Sequence, residues 1–326
     1  MLAMVHKFLG EVLGATASGS FWFPVQASSS APKVDWIYDV ILWISTFFFV
    51  LIVAIMAYFV MRYKRKQGVS HDSTASHSTA LEVAWTVLPS FLLLAIFYLG
   101  VTTYIEMRNP PRNGVEIQVV AQKWNWQFVY PGGVVSPELH VPVDEDVRLV
   151  MRSEDVLHSF YVPAFRVKMD VVPGRYTNTW FQATKQGEYP VFCTEYCGTN
   201  HSAMLSKVVV HEPGGYETWL AKAGDVSNRD PVELGKELVS ARGCMQCHSV
   251  DGSRKIGPSF KGIFGKQEAL VGGGKVLVDE NYIVESINNP QAKVVDTYAP
   301  VMPPYQGKFK DAEISGIVAY IKSLKD

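Results

Sequence analysis

The sequence has little of what would commit it to most functional classes. Lysine plus arginine total 30 against 31 for aspartate plus glutamate, a formal net charge of -1. So balanced a chain lacks the basic excess that binding a polyanion requires, and nucleic acid is excluded as a partner. Charged residues reach only 19% while aromatics make 12%, a balance that suits a chain partly held in lipid. No internal repeat or low-complexity block is present. The Ser/His/Thr-rich stretch from Ser70 to Thr79, with His71 and His77, reads as a solvated loop. Only four cysteines occur, all in two short strings, so no thiol is left over for a disulfide framework.

Long apolar runs, by contrast, are present. The run from Trp36 to Met61 contains one acid, Asp39, and at about 1.5 Å per residue it can cross a hydrocarbon core roughly 30 Å thick. A second, nearly uncharged run from Val83 to Val101 is also long enough, with Pro89 expected to kink it or to sit near its first turns. Between them lies R-Y-K-R-K, Arg62 to Lys66, and basic residues beside a span are retained on the cytoplasmic side. The expectation is a transmembrane hairpin over residues 36–104 in the lipid of a bacterial inner membrane, with a cytoplasmic loop at 62–80 and both termini outside. The preceding segment, 1–35, is either a signal peptide interrupted by His6, Lys7 and Glu11 or an interfacial helix anchored by Phe21, Trp22 and Phe23.

Beyond the hairpin the periodicity changes. Residues 105–213 contain V-E-I-Q-V-V-A, W-N-W-Q-F-V-Y, V-R-L-V-M, N-T-W-F-Q-A and L-S-K-V-V-V-H, separated by turn signals such as Pro131-Gly132-Gly133 and Pro173-Gly174. Short strands at this spacing predict a Greek-key β-sandwich of about 100 residues. Residues 214–229, which open E-P-G-G and hold one or two helical turns, form the expected linker. Residues 230–326 read as a small helical domain. Pro231 opens its first helix, Asp311 is the expected N-cap of its last, and Ile314, Ile317, Val318, Ile321 and Leu324 make one apolar stripe.

Both cysteine strings carry metal chemistry. C-M-Q-C-H, Cys244 to His248, is the covalent haem c pattern: two thiols bond the porphyrin vinyl groups and the histidine ligates iron. No histidine follows His248 and Met302 is the only later methionine, so Met302 is the natural sixth ligand, and a His/Met pair raises the reduction potential. C-T-E-Y-C-G-T-N-H-S-A-M, Cys193 to Met204, offers two thiolates, an imidazole and a thioether within twelve residues, a soft set suited to copper. Two thiolates on one loop can bridge two metal ions. A second histidine must come from elsewhere, and His140, His158 and His211 are the choices. A structural zinc site built from all four cysteines would leave His201, Met204 and His248 unused.

The last domain resembles a class I cytochrome c through Gly235, C-M-Q-C-H, I-G-P-S-F at Ile256 to Phe260, V-M-P-P-Y at Val301 to Tyr305, and Tyr320. The resemblance implies that Pro258 offers its carbonyl to the ring N–H of His248. D-V-L-H-S-F at Asp155 to Phe160, V-P-G-R at Val172 to Arg175, and C-x-E-x-C-G-x-N-H-x-x-M resemble the copper A domain of cytochrome c oxidase subunit II, a cupredoxin-like fold. That resemblance implies His158, Cys193, Cys197, His201 and Met204 as side-chain ligands of a dinuclear copper centre. Glu195 would ligate through its backbone carbonyl, and its side chain would reach a magnesium ion shared with subunit I.

L-E-V-A-W-T-V-L-P at Leu81 to Pro89 is similar to the start of the second helix of that subunit and places Glu82 near the mouth of a proton pathway; helix capping is the plainer role. W-N-W at Trp124 to Trp126 is similar to the aromatic patch where external cytochrome c delivers electrons, with Trp124 at the receiving position. The pattern departs from the family at Asn125, where an aromatic is usual, and at Val129 and Pro131, where acids are usual. One reading is that the fused haem domain has taken the place of the docking partner, its effective concentration raised to the millimolar range.

These resemblances imply a subunit that passes electrons from an external donor, cytochrome c or another periplasmic carrier, through haem c and copper A to oxidase subunit I. Oxygen is reduced and protons are pumped there, so no catalytic acid, base or nucleophile is expected in this chain. Nitrous oxide reductase, a quinol oxidase subunit and a freestanding electron-transfer or copper-delivery protein are the competing assignments.

Overall fold

The computed structural model describes residues 19–20, 22–65, 67–68, 77–111, 113–225 and 229–325. The expectations for His6, Lys7, Glu11, Phe21, Lys66 and His71, and for residues 226–228 of the linker, lie outside the described residues. The chain divides into two units, one holding residues up to 112 together with Ala164–Arg166, the other holding the remainder.

In the first unit, α1 (Ala31–Arg62) and α2 (Thr79–Arg108) are 32 and 30 residues long. Their most apolar stretches have mean hydropathy 2.8 and 2.0, and their side chains, Phe47, Phe49, Leu88 and Phe91 among them, are exposed. Apolar side chains all round a helix suit a lipid surround. Both helices run longer than the apolar runs alone suggest, since polar turns continue them at either end. Pro89 lies eleven residues into α2, inside the helix. Lys33 pairs with Glu106. Arg166 binds Asp35 with both ends of its guanidinium, Nε to Oδ1 and Nη2 to Oδ2 at 2.8 Å each, and Gln26 Nε2 donates to the same carboxylate at 2.8 Å. The two charged side chains are only 5% and 10% exposed, a depth at which charged groups are found paired.

The second unit contains a β-sandwich. Its first sheet has the order β3-β2-β1-β5-β8, with β1 Val115–Gln122, β2 Asn125–Val129, β3 Val135–Ser136, β5 Asp146–Ser153 and β8 Thr177–Gln182. Its second sheet runs β4-β10-β9-β6-β7, with β4 Leu139–Pro142, β6 His158–Val162, β7 Val167–Val171, β9 Gly187–Cys193 and β10 Leu205–His211. Strict in-out alternation along β5 sends every second residue into the core, where Trp126, Phe128, Leu149, Met151 and Phe160 are fully buried. Most pairs are antiparallel, but β1 runs parallel to β5 and β4 parallel to β10, as the Greek-key expectation allows.

After β10 the linker folds further than its sequence suggests. Gly215–Gly224 forms α3, whose Trp219 lies flat on His140, centroids 3.9 Å apart. His140 Nδ1 and His211 Nε2 are 2.9 Å apart, and the His140 backbone N–H donates to the Tyr130 hydroxyl at 2.6 Å. Aromatic stacking thus holds α3 against the sandwich.

The C-terminal part comprises α4 (Pro231–Ala241), α5 (Cys244–Cys247), a hairpin of β11 (Gln267–Ala269) and β12 (Lys275–Leu277), α6 (Glu280–Asn288) and α7 (Asp311–Ser323). The hairpin is an addition to the helical expectation. Asp230 caps α4, accepting from the N–H groups of Val232 and Glu233 at 2.9 and 3.0 Å. Asp311 does not take the cap position expected for it but is the first helical residue of α7, because Glu313 reaches back to the Lys310 N–H at 2.7 Å and fixes Lys310 as the cap. The helices α4 and α7 meet at Gly235 and Gly316: a Cβ at Gly235 would fall 2.0 Å from the Gly316 carbonyl oxygen and 2.8 Å from Tyr320 Cβ. Leu234, Leu238, Ile283, Ile287, Ile317 and Ile321 form the core, and Cys244, Phe260 and Met302 pack against its edge.

Candidate metal and haem centres

The second sheet of the sandwich brings the soft donors together. His158 opens β6 and Cys193 ends β9, and the two strands pair at Phe160 with Cys193. The loop from Thr194 to Met204 then turns back over the sheet edge, tied by Thr194 N–H to the Ser159 carbonyl at 3.0 Å and Cys193 N–H to the Met204 carbonyl at 3.3 Å. Cys193 Sγ lies 3.8 Å from Cys197 Sγ, 3.9 Å from His158 Nδ1 and 3.3 Å from the Glu195 carbonyl oxygen. Cys197 Sγ lies 3.5 Å from His201 Nδ1 and 3.8 Å from Met204 Sδ. The donor atoms of His158, Cys193 and Cys197 all fall within 4.8 Å of one another. The five side chains and one carbonyl that the resemblance implied therefore lie together at this sheet edge, with His158, Cys193, Cys197 and Met204 buried and His201 half-buried. His140 and His211 pair with each other instead.

The electrostatics of this cluster suit a cation. Burial opposes ionisation of Cys193, but hydrogen bonds with His158 and the Ser159 backbone bring the thiol down to about 6. Burial and the neighbouring Cys193 charge push Cys197 up to about 12. One thiolate is thus available at neutral pH, and the second forms when a metal ion displaces its proton. Sequence reasoning did not give Asp155 a role. Its Oδ1 accepts from His158 Nε2 at 2.8 Å, leaving Nδ1 turned to the sulfurs, and its carboxylate also accepts from the N–H groups of Lys123 and Val156 at 2.8 and 2.6 Å. Such a carboxylate fixes the tautomer and orientation of a ligating imidazole. The signal was present in D-V-L-H, an acid three residues before the histidine.

Trp124 borders the same cluster. Its indole lies against Gly198, where a Cβ would stand 3.1 Å from Cζ2, and Gly198 has φ +127, a conformation that L side chains rarely adopt. Trp126 is buried and its ring centroid is 6.2 Å from that of His158. Trp124 thus borders the donor cluster, and Trp126 fills the core beside it.

At the second motif, Gly243 turns the chain with φ 76 and α5 carries the two thiols. His248 Nδ1 lies 2.7 Å from the Pro258 carbonyl, the contact that the cytochrome resemblance implied. Its ring stacks on Phe260 at 4.5 Å, and a Cβ on Gly257 would fall 2.6 Å from His248 Cε1. Burial lowers the His248 pKa, opposed by the Pro258 hydrogen bond and assisted by Lys255, so the imidazole is neutral, as an iron ligand must be. Burial likewise pushes Cys244 up to about 11 and raises Cys247. Met302 stands at the edge of the same core as Cys244 and Phe260, and its carbonyl accepts from Gln291 Nε2 at 3.3 Å. The residues present fit a haem. Glu82 lies in the first turn of α2, where a carboxylate meets the positive end of the helix.

Comparison with known proteins matches three successive stretches. The profile of the cytochrome c oxidase subunit II transmembrane domain matches residues 16–101, that of the periplasmic domain of the same subunit residues 132–212, and that of cytochrome c residues 232–325. Cytochrome c oxidase subunit 2 of Alkalihalophilus pseudofirmus is 31% identical over 315 residues, covering 90% of this chain and 89% of that protein. The same subunit of Thermostichus vulcanus is 33% identical over 265 residues, covering 61% of this chain and 80% of that protein. Among solved structures, the periplasmic domain of subunit II of cytochrome oxidase from Bradyrhizobium japonicum is 32% identical, with a TM-score of 0.34, and covers 35% of this chain and 96% of that one. The chain belongs to the cytochrome c oxidase subunit II family and carries a cytochrome c domain at its C-terminal end.

Proposed function

We propose that this subunit receives electrons on the outer side of the inner membrane from cytochrome c or another periplasmic donor and hands them to subunit I. The observation that carries the reading is the convergence of His158, Cys193, Cys197, His201 and Met204 at one buried edge, beside a separate haem motif on the same polypeptide. Bound at these two places, a dinuclear copper centre and a covalent haem c supply one-electron chemistry that links the donor to subunit I, where oxygen is reduced to water with proton pumping.

The chain's own residues hold and orient these groups. Cys193, Cys197, His158, His201, Met204 and the Glu195 carbonyl would hold the copper. Asp155 orients His158. Cys244 and Cys247 would anchor the porphyrin, His248 and Met302 would ligate its iron, and Pro258 holds the His248 ring nitrogen. The Glu195 side chain would reach a magnesium ion shared with subunit I, Trp124 would pass electrons to the copper loop, and Glu82 would serve the mouth of a proton pathway. The division runs 36–104 hairpin, 105–213 copper domain, 214–229 linker and 230–326 haem domain, with membrane lipid around α1 and α2.

Metal analysis with optical and electron paramagnetic resonance spectroscopy of the purified chain tests this. About two coppers and one iron per chain with a mixed-valence copper signal are expected; one zinc and no copper would refute it. His158→Ala should remove the copper signal and spare the haem spectrum, and Met302→Ala should do the reverse.

A further inference from the structure

The turn that bears Trp124 is covered from within the chain. In the β1–β2 hairpin, Asn125 pairs with Gln122 and is buried, only 7% exposed. Asn125 Nδ2 donates to the Ala241 carbonyl, the last residue of α4, at 3.3 Å. Gly243, immediately before Cys244, approaches so closely that a Cβ there would stand 2.9 Å from Asn125 Cβ, Cγ and Nδ2. Two further contacts flank this post. Tyr305, whose hydroxyl donates to the Arg242 carbonyl at 3.3 Å, hydrogen-bonds the Gln122 side chain. Lys308 Nζ lies 3.8 Å from Glu154 Oε2.

The geometry points to Asn125 as the positioning residue that seats the haem-binding turn of this chain on its own electron-receiving hairpin. The inference rests on the reading given under Proposed function and adds to it the residue that sets which partner the hairpin accepts. The physical reason lies in size and polarity. An indole or phenol ring at position 125 would occupy the space that Gly243 takes and leave the Ala241 carbonyl without its donor, whereas the asparagine amide fits the gap and satisfies that carbonyl. The thioether turn at Cys244 then abuts Asn125, Asn125 is followed in the hairpin by Trp126 beside His158, and Trp124 rests on Gly198 next to Cys197. With the hairpin occupied, an external cytochrome meets the haem domain rather than Trp124.

The test uses the complete oxidase complex in detergent, with carbodiimide as a zero-length coupling reagent and peptide mass spectrometry as readout. Lys308 should couple to Glu154 in the unaltered protein. In Asn125→Trp the yield of that link should fall about tenfold, the loss expected when a buried hydrogen bond is broken and its partner left unsatisfied. One-electron transfer from photoreduced haem c to the copper pair should slow by a similar factor, with both cofactor spectra and both midpoint potentials unchanged. Asn125→Ala, which creates no clash and keeps the fold, should lower the yield about threefold through the hydrogen bond alone. Link yields and rates within twofold of the unaltered protein in both variants, with intact copper and haem signals, would overturn the inference while leaving the function standing. Missing copper or haem signals in the unaltered protein would overturn both.

Discussion

Single side chains decide which atoms face the metal and the haem. Asp155 accepts hydrogen bonds from His158 Nε2 and from two backbone N–H groups, one of them that of Lys123, so the histidine and the Trp124 turn are held by one carboxylate. Asp155→Asn keeps the shape but turns an acceptor into a mixed donor and acceptor, and it should weaken copper binding about 10- to 100-fold in competitive metal titration. An unchanged affinity would reduce Asp155 to a turn-forming role. At the other centre the pairing of Gly257 with Pro258 has a double use: the proline carbonyl holds His248 Nδ1, and the bare glycine makes room for the imidazole. The asparagine at position 125 follows the same logic, since what matters is the volume that Gly243 requires and the carbonyl that Ala241 presents.

Elements act through their contacts. The helices α4 and α7 approach most closely at Gly235 and Gly316, and Gly235→Ala would force a methyl group to within 2.0 Å of the Gly316 carbonyl oxygen. The helices must separate, at a cost of about 1–3 kcal/mol, typical of overpacking. Thermal unfolding followed in the haem band should show a lower midpoint for the haem domain while the copper signal melts unchanged. The linker helix α3 is held by Trp219 on the His140–His211 pair. Burial depresses His140 to about 3, with His211 and Lys207 adding to it, and burial also lowers His211. Glu138, 3.7 Å from His140 Nε2, and Glu217 face the pair from the other side. Because the folded pKa lies below the unfolded value near 6.5, stability from His140 is complete above about pH 6.5 and is lost as pH falls toward 3. The melting temperature should therefore drop between pH 6.5 and 4, and His140→Gln should flatten that slope. An equal slope in the variant would place the titration elsewhere.

At the scale of the whole molecule, the chain combines two apolar helices, a sandwich with a soft donor cluster at one edge, and a helical haem domain whose attachment turn rests on that sandwich. The hairpin, the sandwich, the helical domain and both cysteine motifs were legible in the sequence because each depends on local pattern: runs long enough for a bilayer, alternation with period two, and ligands spaced within one loop. The donor set of Cys193, Glu195, Cys197, His201 and Met204 lies within twelve residues, and resemblance rather than spacing singled out His158 among three histidines. Other features required the tertiary structure. The pairing of His140 with His211 joins neighbouring strands 71 residues apart in sequence, the Asp35–Arg166 ion pair spans 131 residues, and the seating of Gly243 on Asn125 depends on two domains that share no local signal. Local chemistry determined that this polypeptide carries a soft donor loop and a C-x-x-C-H motif in a cytochrome c domain. Which atoms face inward at each place followed only from packing, because the contacts that set them join residues far apart in sequence, such as His158 with Cys193 and Asn125 with Ala241.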